Sequence, residues 1–211
     1  MQHLLLLRHG QTDANAAGVI QGHLPTPLNA LGKAQSRLLG QRLLTYTPPV
    51  TLLLTSPLIR ALQTAGEITA VLQLPPQQDP AWTERHFGSD QGQPFDLVQI
   101  MTHGGKNQDP SDAEPKHTFD ARVRSAVHTA PFTSHTPAVT AVVSHGGVIG
   151  SVVRQLISGH IPSTNPPTER AAVPNCSILH LRRPSPADPW HILCLHDSTH
   201  LDDLRTDLDA G

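Results

Sequence analysis

Residues 4–7 are four consecutive leucines, and the run stops on Arg8-His9-Gly10. A short, uninterrupted apolar run with a polar stop suits a strand covered on both faces, so it points to a layered α/β fold with a parallel sheet rather than a half-exposed one. Residues just past the C-terminal end of such a strand lie where open α/β sheets bind ligands. An arginine and a histidine there, followed by a glycine that permits a tight turn, form a candidate site for anion chemistry. Taken alone, these three residues read more readily as an ordinary strand end with a solvated histidine than as a site.

The rest of the chain repeats the alternation. Asn29 is placed to cap a helix over 30–46, with Leu31, Leu38, Leu39 and Leu43 on one stripe and Pro48-Pro49 behind it. A strand over 50–54 follows. Ser56 then reads as an N-cap with Pro57 at the first helical position, and that helix carries Arg60 and runs to Leu72. Residues 77–93 read as irregular, anchored by Trp82 and Phe87. A short helix is expected from Pro94 to Thr102, a loop or lid over 103–117, and a helix over 118–129. The apolar run 138–143 is a second central strand and stops on Ser144-His145-Gly146-Gly147. A helix over 148–158, a loop over 159–170, and short strands over 171–173, 177–181 and 190–196 complete the pattern. The expected architecture is a three-layer α/β sandwich, a mostly parallel sheet flanked by helices. It forms one domain over 1–198 with a lid or insertion at about 85–135, and residues 199–211 read as a solvated acidic tail.

Composition narrows the function. The formal net charge of −2 gives no footprint for nucleic acid, so any anion site must be local. Fourteen histidines raise the question of a metal, but no HExxH or Cys/His ligand spacing occurs, and no metal is expected. Cys176 and Cys194 lie in apolar segments and read as small core residues; a disulfide between them is compatible with the sequence but not required by it. The N-terminal apolar run is too short for a signal peptide, and no stretch is long enough to span a membrane, so a cytoplasmic protein with no membrane partner is expected.

The decisive pattern is a recurrence. Two apolar strands far apart in sequence each end in His-Gly, at His9-Gly10 and His145-Gly146. In a doubly wound sheet both ends can face one crevice, and the helix after His145 points its positive amino end there. Arg60, just after the second strand, adds a further cation. Two imidazoles, two guanidiniums and a helix N-terminus suit a phosphate, whose oxygens match the arginine fork.

In these residues the chain resembles the histidine phosphatase (phosphoglycerate mutase-like) superfamily. The matching blocks are Leu7-Arg8-His9-Gly10-Gln11-Thr12 with Asn15, Gln21-Gly22, and Ser56-Pro57-Leu58-Ile59-Arg60-Ala61 running on to Thr64-Ala65. Glu84 with Phe87-Gly88 and Gly92, and Val143-Ser144-His145-Gly146-Gly147, follow in the family's order. The resemblance implies that His9 is the nucleophile and becomes phosphohistidine. It implies that Arg8, Arg60 and His145 hold the phosphoryl oxygens, with Asn15 and the Gly146 amide as further donors and Gln21 and Gly22 lining the phosphate or substrate site. Glu84 is implied as the acid that protonates the leaving alkoxide and then activates water, with His86 a poorer candidate. No cofactor is implied.

The chain departs from the family at Ser89-Asp90-Gln91-Gly92, at Asp112-Ala113-Glu114-Pro115, and at His23-Leu24-Pro25-Thr26-Pro27-Leu28, where an acidic residue is usual. The stretch between Glu84 and His145 is short, and its permanent cations are Arg85, Lys106, Lys116, Arg122 and Arg124. Mutases of the family carry a longer, more basic insertion there. The expected activity is therefore hydrolysis of a small phosphorylated metabolite. The alternatives are a cofactor-dependent phosphoglycerate mutase and a catalytically idle phospholigand-binding protein. Exposed sheet edges leave room for a homodimer.

Overall fold

The computed structural model describes residues 1–95, 109–133, 137–169 and 172–204. One six-stranded sheet has the order β3-β2-β4-β1-β5-β6. Its strands are β1 (Gln2–Arg8), β2 (Leu52–Thr55), β3 (Gln77–Gln78), β4 (Ala138–Ser144), β5 (Ile178–Arg183) and β6 (His191–Asp197). The first four run parallel; β5 and β6 close one edge antiparallel. The helices are α1 (Asp13–Ala16), α2 (Ala30–Leu44), α3 (Ile59–Leu72), α4 (Lys116–Thr129) and α5 (Gly146–Ile157).

The leucine run behaves as a two-faced strand. Leu4 and Leu6 pack with Val123, Val127, Val148 and Val152 of α4 and α5, whereas Leu5 and Leu7 pack with Leu39, Leu43, Ala61 and Ile68 of α2 and α3. All four leucines are fully buried. Each contributes roughly 1.5–3 kcal/mol of apolar burial, and Leu6→Ala should cost about 2–5 kcal/mol because the site is packed on every side. The three-layer α/β sandwich follows from this strand and from β4, which is buried along its whole length.

Parallel register fixes the functional edge. Arg8 stands opposite Ser144, and Thr55 opposite Val143, so His9, Ser56 and His145 emerge side by side at the C-terminal ends of three parallel strands. The backbone of His9 is pinned there. Its N–H donates to the Ser144 carbonyl at 3.0 Å, and its carbonyl accepts from Asn175 Nδ2 at 2.9 Å. The Gly10 N–H donates to Thr64 Oγ1 at 3.0 Å. A Cβ on Gly10 would lie 2.3 Å from the Gly32 carbonyl, so α2 can approach this turn only because no side chain intervenes.

Several local expectations change. α3 begins at Ile59 with Leu58 as N-cap, so Ser56 is not the cap. Its hydroxyl is instead engaged by His145 at 2.7 Å. α5 begins two residues earlier than read, at Gly146, because glycines are tolerated where the strand end turns directly into helix. β3 is a two-residue strand inside the segment read as irregular. Residues 172 and 173 form no strand, and residue 171 and most of the expected 94–102 helix lie outside the described residues. Within 85–135, α4 is not a cover: Phe119, Val123 and Val127 are buried in the core. Residues 199–201 are a 3₁₀ turn whose Leu201 is buried beneath α2, not a solvated start of the tail. The cysteines are both free, Cys176 buried and Cys194 half-buried. No described helix is long and apolar enough to cross a membrane.

Candidate active site

The two imidazoles meet at the strand ends, with ring centroids 5.2 Å apart. His9 Nδ1–H donates to the Gly10 carbonyl at 2.7 Å, since a carbonyl can only accept. That bond fixes the tautomer and leaves the Nε2 lone pair facing Arg60, whose Nε–H donates to it at 3.2 Å. Arg60 is itself buried and clamped. Its Nη2 donates to the Gly22 carbonyl at 2.7 Å and its Nη1 to the Leu24 carbonyl at 3.3 Å. The Gln21-Gly22 turn therefore holds the guanidinium through the Gly22 backbone, while Gln21 Oε1 accepts from Thr12 and Thr26 hydroxyls.

Electrostatics follow from burial. His9 is pushed well below the ordinary histidine value by desolvation, then by the charges of Arg60 and Arg8. His145 is lowered for the same reasons, burial first. Arg60 falls to about 10 through burial and so stays charged at neutral pH. Arg8 is lowered by burial, opposed by Glu84. The floor thus carries two guanidinium charges and two neutral rings.

Two buried nitrogens on this floor have no hydrogen-bond partner among the described residues: Arg8 Nε and His145 Nδ1. Buried donors without acceptors are costly, and such groups commonly mark a ligand site. Arg8 is steadied by its Nη1 bond to the Val173 carbonyl, and an added Cβ on Gly146 would lie 3.4 Å from its Nε. His145 is steadied by Ser56, which sequence reading assigned to helix capping. Its Nδ1 thereby becomes the uncommitted nitrogen.

Glu84 reaches the site from the neighbouring segment. Trp82, fully buried, anchors that segment, and its carbonyl accepts from Ser144 Oγ at 2.7 Å. Arg122 of α4 grips the same segment through the Ala81 and Thr83 carbonyls at 3.0 and 2.9 Å. The Glu84 carboxylate accepts from the Gly147 N–H at 2.8 Å and from the Arg85 N–H at 2.9 Å. One amide of the α5 amino end is therefore occupied by this carboxylate, not left for an anion as the sequence suggested. Asn15 closes a capping box with Thr12, and its Oδ1 also accepts from Asn175 Nδ2 at 3.2 Å. His86 Nδ1 accepts from the Gly88 N–H, a local bond.

Arg8, His9, Arg60, Glu84, His145 and Gly146 are thus brought together, with Asn15, Gln21 and Gly22 packed against them. Sequence reading missed Ser56, Thr64, Asn175 and Arg122 as the residues that hold them. Thr64 and Ser56 lay inside matched blocks; Asn175 and Arg122 carried no signal. Among the described residues, no group of three or more His, Cys, Asp or Glu side chains is arranged to hold a metal ion.

The model of the histidine phosphatase superfamily (branch 1) matches residues 4–195. The chain belongs to that superfamily. This histidine phosphatase superfamily member is 29% identical over 215 residues to a probable phosphoglycerate mutase, GpmB, of Yersinia enterocolitica, covering 96% of each. It is 33% identical over 162 residues to the adenosylcobalamin/alpha-ribazole phosphatase of Escherichia coli, covering 73% of this chain and 78% of the other. Its fold is similar to that of mycobacterial glucosyl-3-phosphoglycerate phosphatase in a complex with VO3. The TM-score is 0.75 at 26% identity, covering 93% of this chain and 99% of the other. The superfamily and these names support an enzyme of the phosphatase or mutase kind.

Proposed function

We propose that the protein is a phosphomonoesterase that hydrolyses a small phosphorylated metabolite through a phosphohistidine on His9. The observation that carries this reading is the His9 ring. Nδ1–H is tied to the Gly10 carbonyl, and the Nε2 lone pair faces a buried guanidinium.

In the first step Nε2 attacks phosphorus as the P–O bond to the leaving alcohol breaks. Arg60 Nε–H, which holds the lone pair in the resting site, passes to a phosphoryl oxygen as the N–P bond forms. Arg8 Nε and His145 Nδ1–H supply donors to the other oxygens, with the Asn15 amide and the Gly146 N–H completing the cradle. Gln21 and Gly22 keep Arg60 in place. Glu84 gives its proton to the leaving alkoxide. It then takes one from water as the water oxygen attacks phosphorus and the N–P bond breaks, returning neutral His9 and releasing phosphate. Burial supports this chemistry, because a neutral His9 is a nucleophile and a protonated one is not.

The mutase reading is favoured by the name of the Yersinia relative. Incubation with 3-phosphoglycerate and a trace of bisphosphoglycerate separates the two: phosphate release supports the phosphatase, and isomer interconversion without release supports the mutase. A panel of phosphomonoesters assayed for phosphate release tests the hydrolase reading as a whole. Tight binding without turnover on any of them would leave only a phospholigand-binding protein.

A further inference from the structure

The ring of His9 rests on the residue type with the widest choice of backbone conformation. Its Nδ1–H donates to the carbonyl of Gly10, a glycine. A side chain cannot stiffen position 10, because a Cβ there would lie 2.3 Å from the Gly32 carbonyl. Whatever keeps the Gly10 carbonyl in place must therefore act through the main chain.

Two side chains do so, and they grip the two ends of one peptide unit. The atoms from His9 Cα to Gly10 Cα form a rigid plane, with the His9 carbonyl on one edge and the Gly10 N–H on the other. Asn175 Nδ2 donates to that carbonyl at 2.9 Å, and the Gly10 N–H donates to Thr64 Oγ1 at 3.0 Å. Both grips are themselves fixed. Asn175 Nδ2 also donates to Asn15 Oδ1 at 3.2 Å, and the Thr12 N–H identifies that Asn15 atom as the oxygen. Thr64 is fully buried, and its hydroxyl hydrogen goes to the Arg60 carbonyl at 2.8 Å, which leaves a lone pair for Gly10. The turn that presents Asn175 is also built around the nucleophile. Its Cys176 has a φ of 55°, in the left-handed region. The Cys176 N–H donates to the Arg8 carbonyl at 3.1 Å and more weakly to that of His9 at 3.4 Å, while the Arg8 N–H donates to the Ser177 carbonyl at 3.2 Å. Such a conformation at a non-glycine residue persists where the neighbouring contacts over-determine it.

We infer that Asn175 and Thr64 are positioning residues that act as one unit. By fixing the His9–Gly10 peptide plane they hold the Gly10 carbonyl against Nδ1–H, and so keep the Nε2 lone pair aimed for attack. Rotation of that plane would carry the Gly10 carbonyl away and let the ring tilt, and a misplacement of about 1 Å in a reacting group can cost roughly 10²-fold. A plane released at one end is released altogether, so losing one grip forfeits most of the benefit of the other. The consequence for turnover rests on the phosphohistidine reading above; the hydrogen bond of the His9 ring does not.

The test combines a double-mutant cycle with a direct view of the ring. Single-turnover release of p-nitrophenol from p-nitrophenyl phosphate, with enzyme in excess, reports the attack of Nε2 in its maximum rate and substrate binding in its half-saturation point. Asn175→Ala and Thr64→Val should each slow the maximum rate about tenfold and move half-saturation less than about threefold. The double variant should be slower than either single variant by less than about threefold. Asn175→Asp keeps the shape but sets a carboxylate oxygen against the His9 carbonyl, and should lose at least as much as Asn175→Ala. In ¹H–¹⁵N spectra the His9 Nδ1 proton, identified by its absence from His9→Ala, should exchange with water about tenfold or more faster in both single variants than in the wild type. Losses that multiply to about 100-fold in the double variant, a wild-type rate in Asn175→Asp, or unchanged exchange of the ring proton would overturn the inference. If Thr64→Val fails to melt cooperatively, ring-proton exchange in Asn175→Ala and Asn175→Asp decides alone. A wild-type protein that releases no p-nitrophenol would refute the phosphatase reading, and the ring-proton comparison would still decide this one.

Discussion

Gly147→Ala isolates the part played by Glu84 without touching Glu84. A Cβ at 147 would lie 2.2 Å from Glu84 Oε1 and 2.9 Å from Oε2. Ordinary contact begins near 3.4 Å, so the carboxyl must retreat by about 1 Å and give up its bond to the Gly147 N–H. Because the obstacle is the far end of a flexible side chain, the fold can adjust. Alanine in the first turn of α5 is also a better helix former than glycine, by up to about 1 kcal/mol. The Tm should therefore move by less than about 4 °C. Activity should not survive as well: a displacement of about 1 Å in a reacting group can cost roughly 10²-fold. The loss should depend on the leaving group. An alkyl phosphate such as glycerol 3-phosphate needs its alkoxide protonated, so kcat/KM should fall about 100-fold. The p-nitrophenolate anion leaves without help, so p-nitrophenyl phosphate should lose less than about tenfold. Steady-state phosphate release on both substrates, with thermal melting as the fold control, checks this. Equal losses on the two substrates, or none on either, would refute the assignment of proton transfer to Glu84.

Ser56→Ala frees the ring that Ser56 orients. It should lower kcat about tenfold or more with KM little changed, at a stability cost of about 1–2 kcal/mol read by denaturant titration. Arg122→Gln removes the clamp on the Ala81 and Thr83 carbonyls. It should reduce turnover of alkyl phosphates more than that of p-nitrophenyl phosphate, because it loosens the segment that carries Glu84. Stability should depend on acid through the His3–His180 pair, whose ring nitrogens lie 2.9 Å apart. Burial drops His180 from 6.5 to about 4, and His3 is lowered too. The unfolded chain takes up protons below about pH 6.5 while the folded chain refuses them until about pH 4. Stability is then full at neutral pH and falls through that window, by about 3 kcal/mol from His180 alone. Unfolding free energies measured at pH 7 and pH 4.5 should differ by at least that share, and His180→Phe should remove the His180 share while leaving the share of the buried His9 and His145.

The fold was legible wherever one local rule dominated. The leucine run and the 138–143 run have no polar face, so both had to be two-sided central strands, and their order with amphipathic helices between them gave the three layers. The same strands placed His9 and His145 because the residue after a parallel strand is fixed by register. Ser56 was misread because a Ser-Pro pair before a helix satisfies the capping rule locally; only the arrival of His145 from 89 residues away makes a different partner available. The α5 amino end was read as an open anion site because the pull of its dipole is a local property, whereas its capture by Glu84 depends on how the 79–84 segment crosses over β4. The fate of Arg85 and Arg122 was equally hidden. Composition counts cations, but Arg85 is paired with Asp109 and Arg122 with Glu114, and no spacing rule joins either pair.

The phosphohistidine is the central claim, and rapid acid-free quenching during turnover of p-nitrophenyl phosphate tests it most directly. The wild-type protein should carry a phosphoryl group that is labile to acid and stable to base, mapped by fragmentation to His9. It should decay at a rate matching turnover and be missing from His9→Ala together with phosphate release. Steady turnover in His9→Ala, or a phosphoryl group lodged on any other residue, would contradict the account.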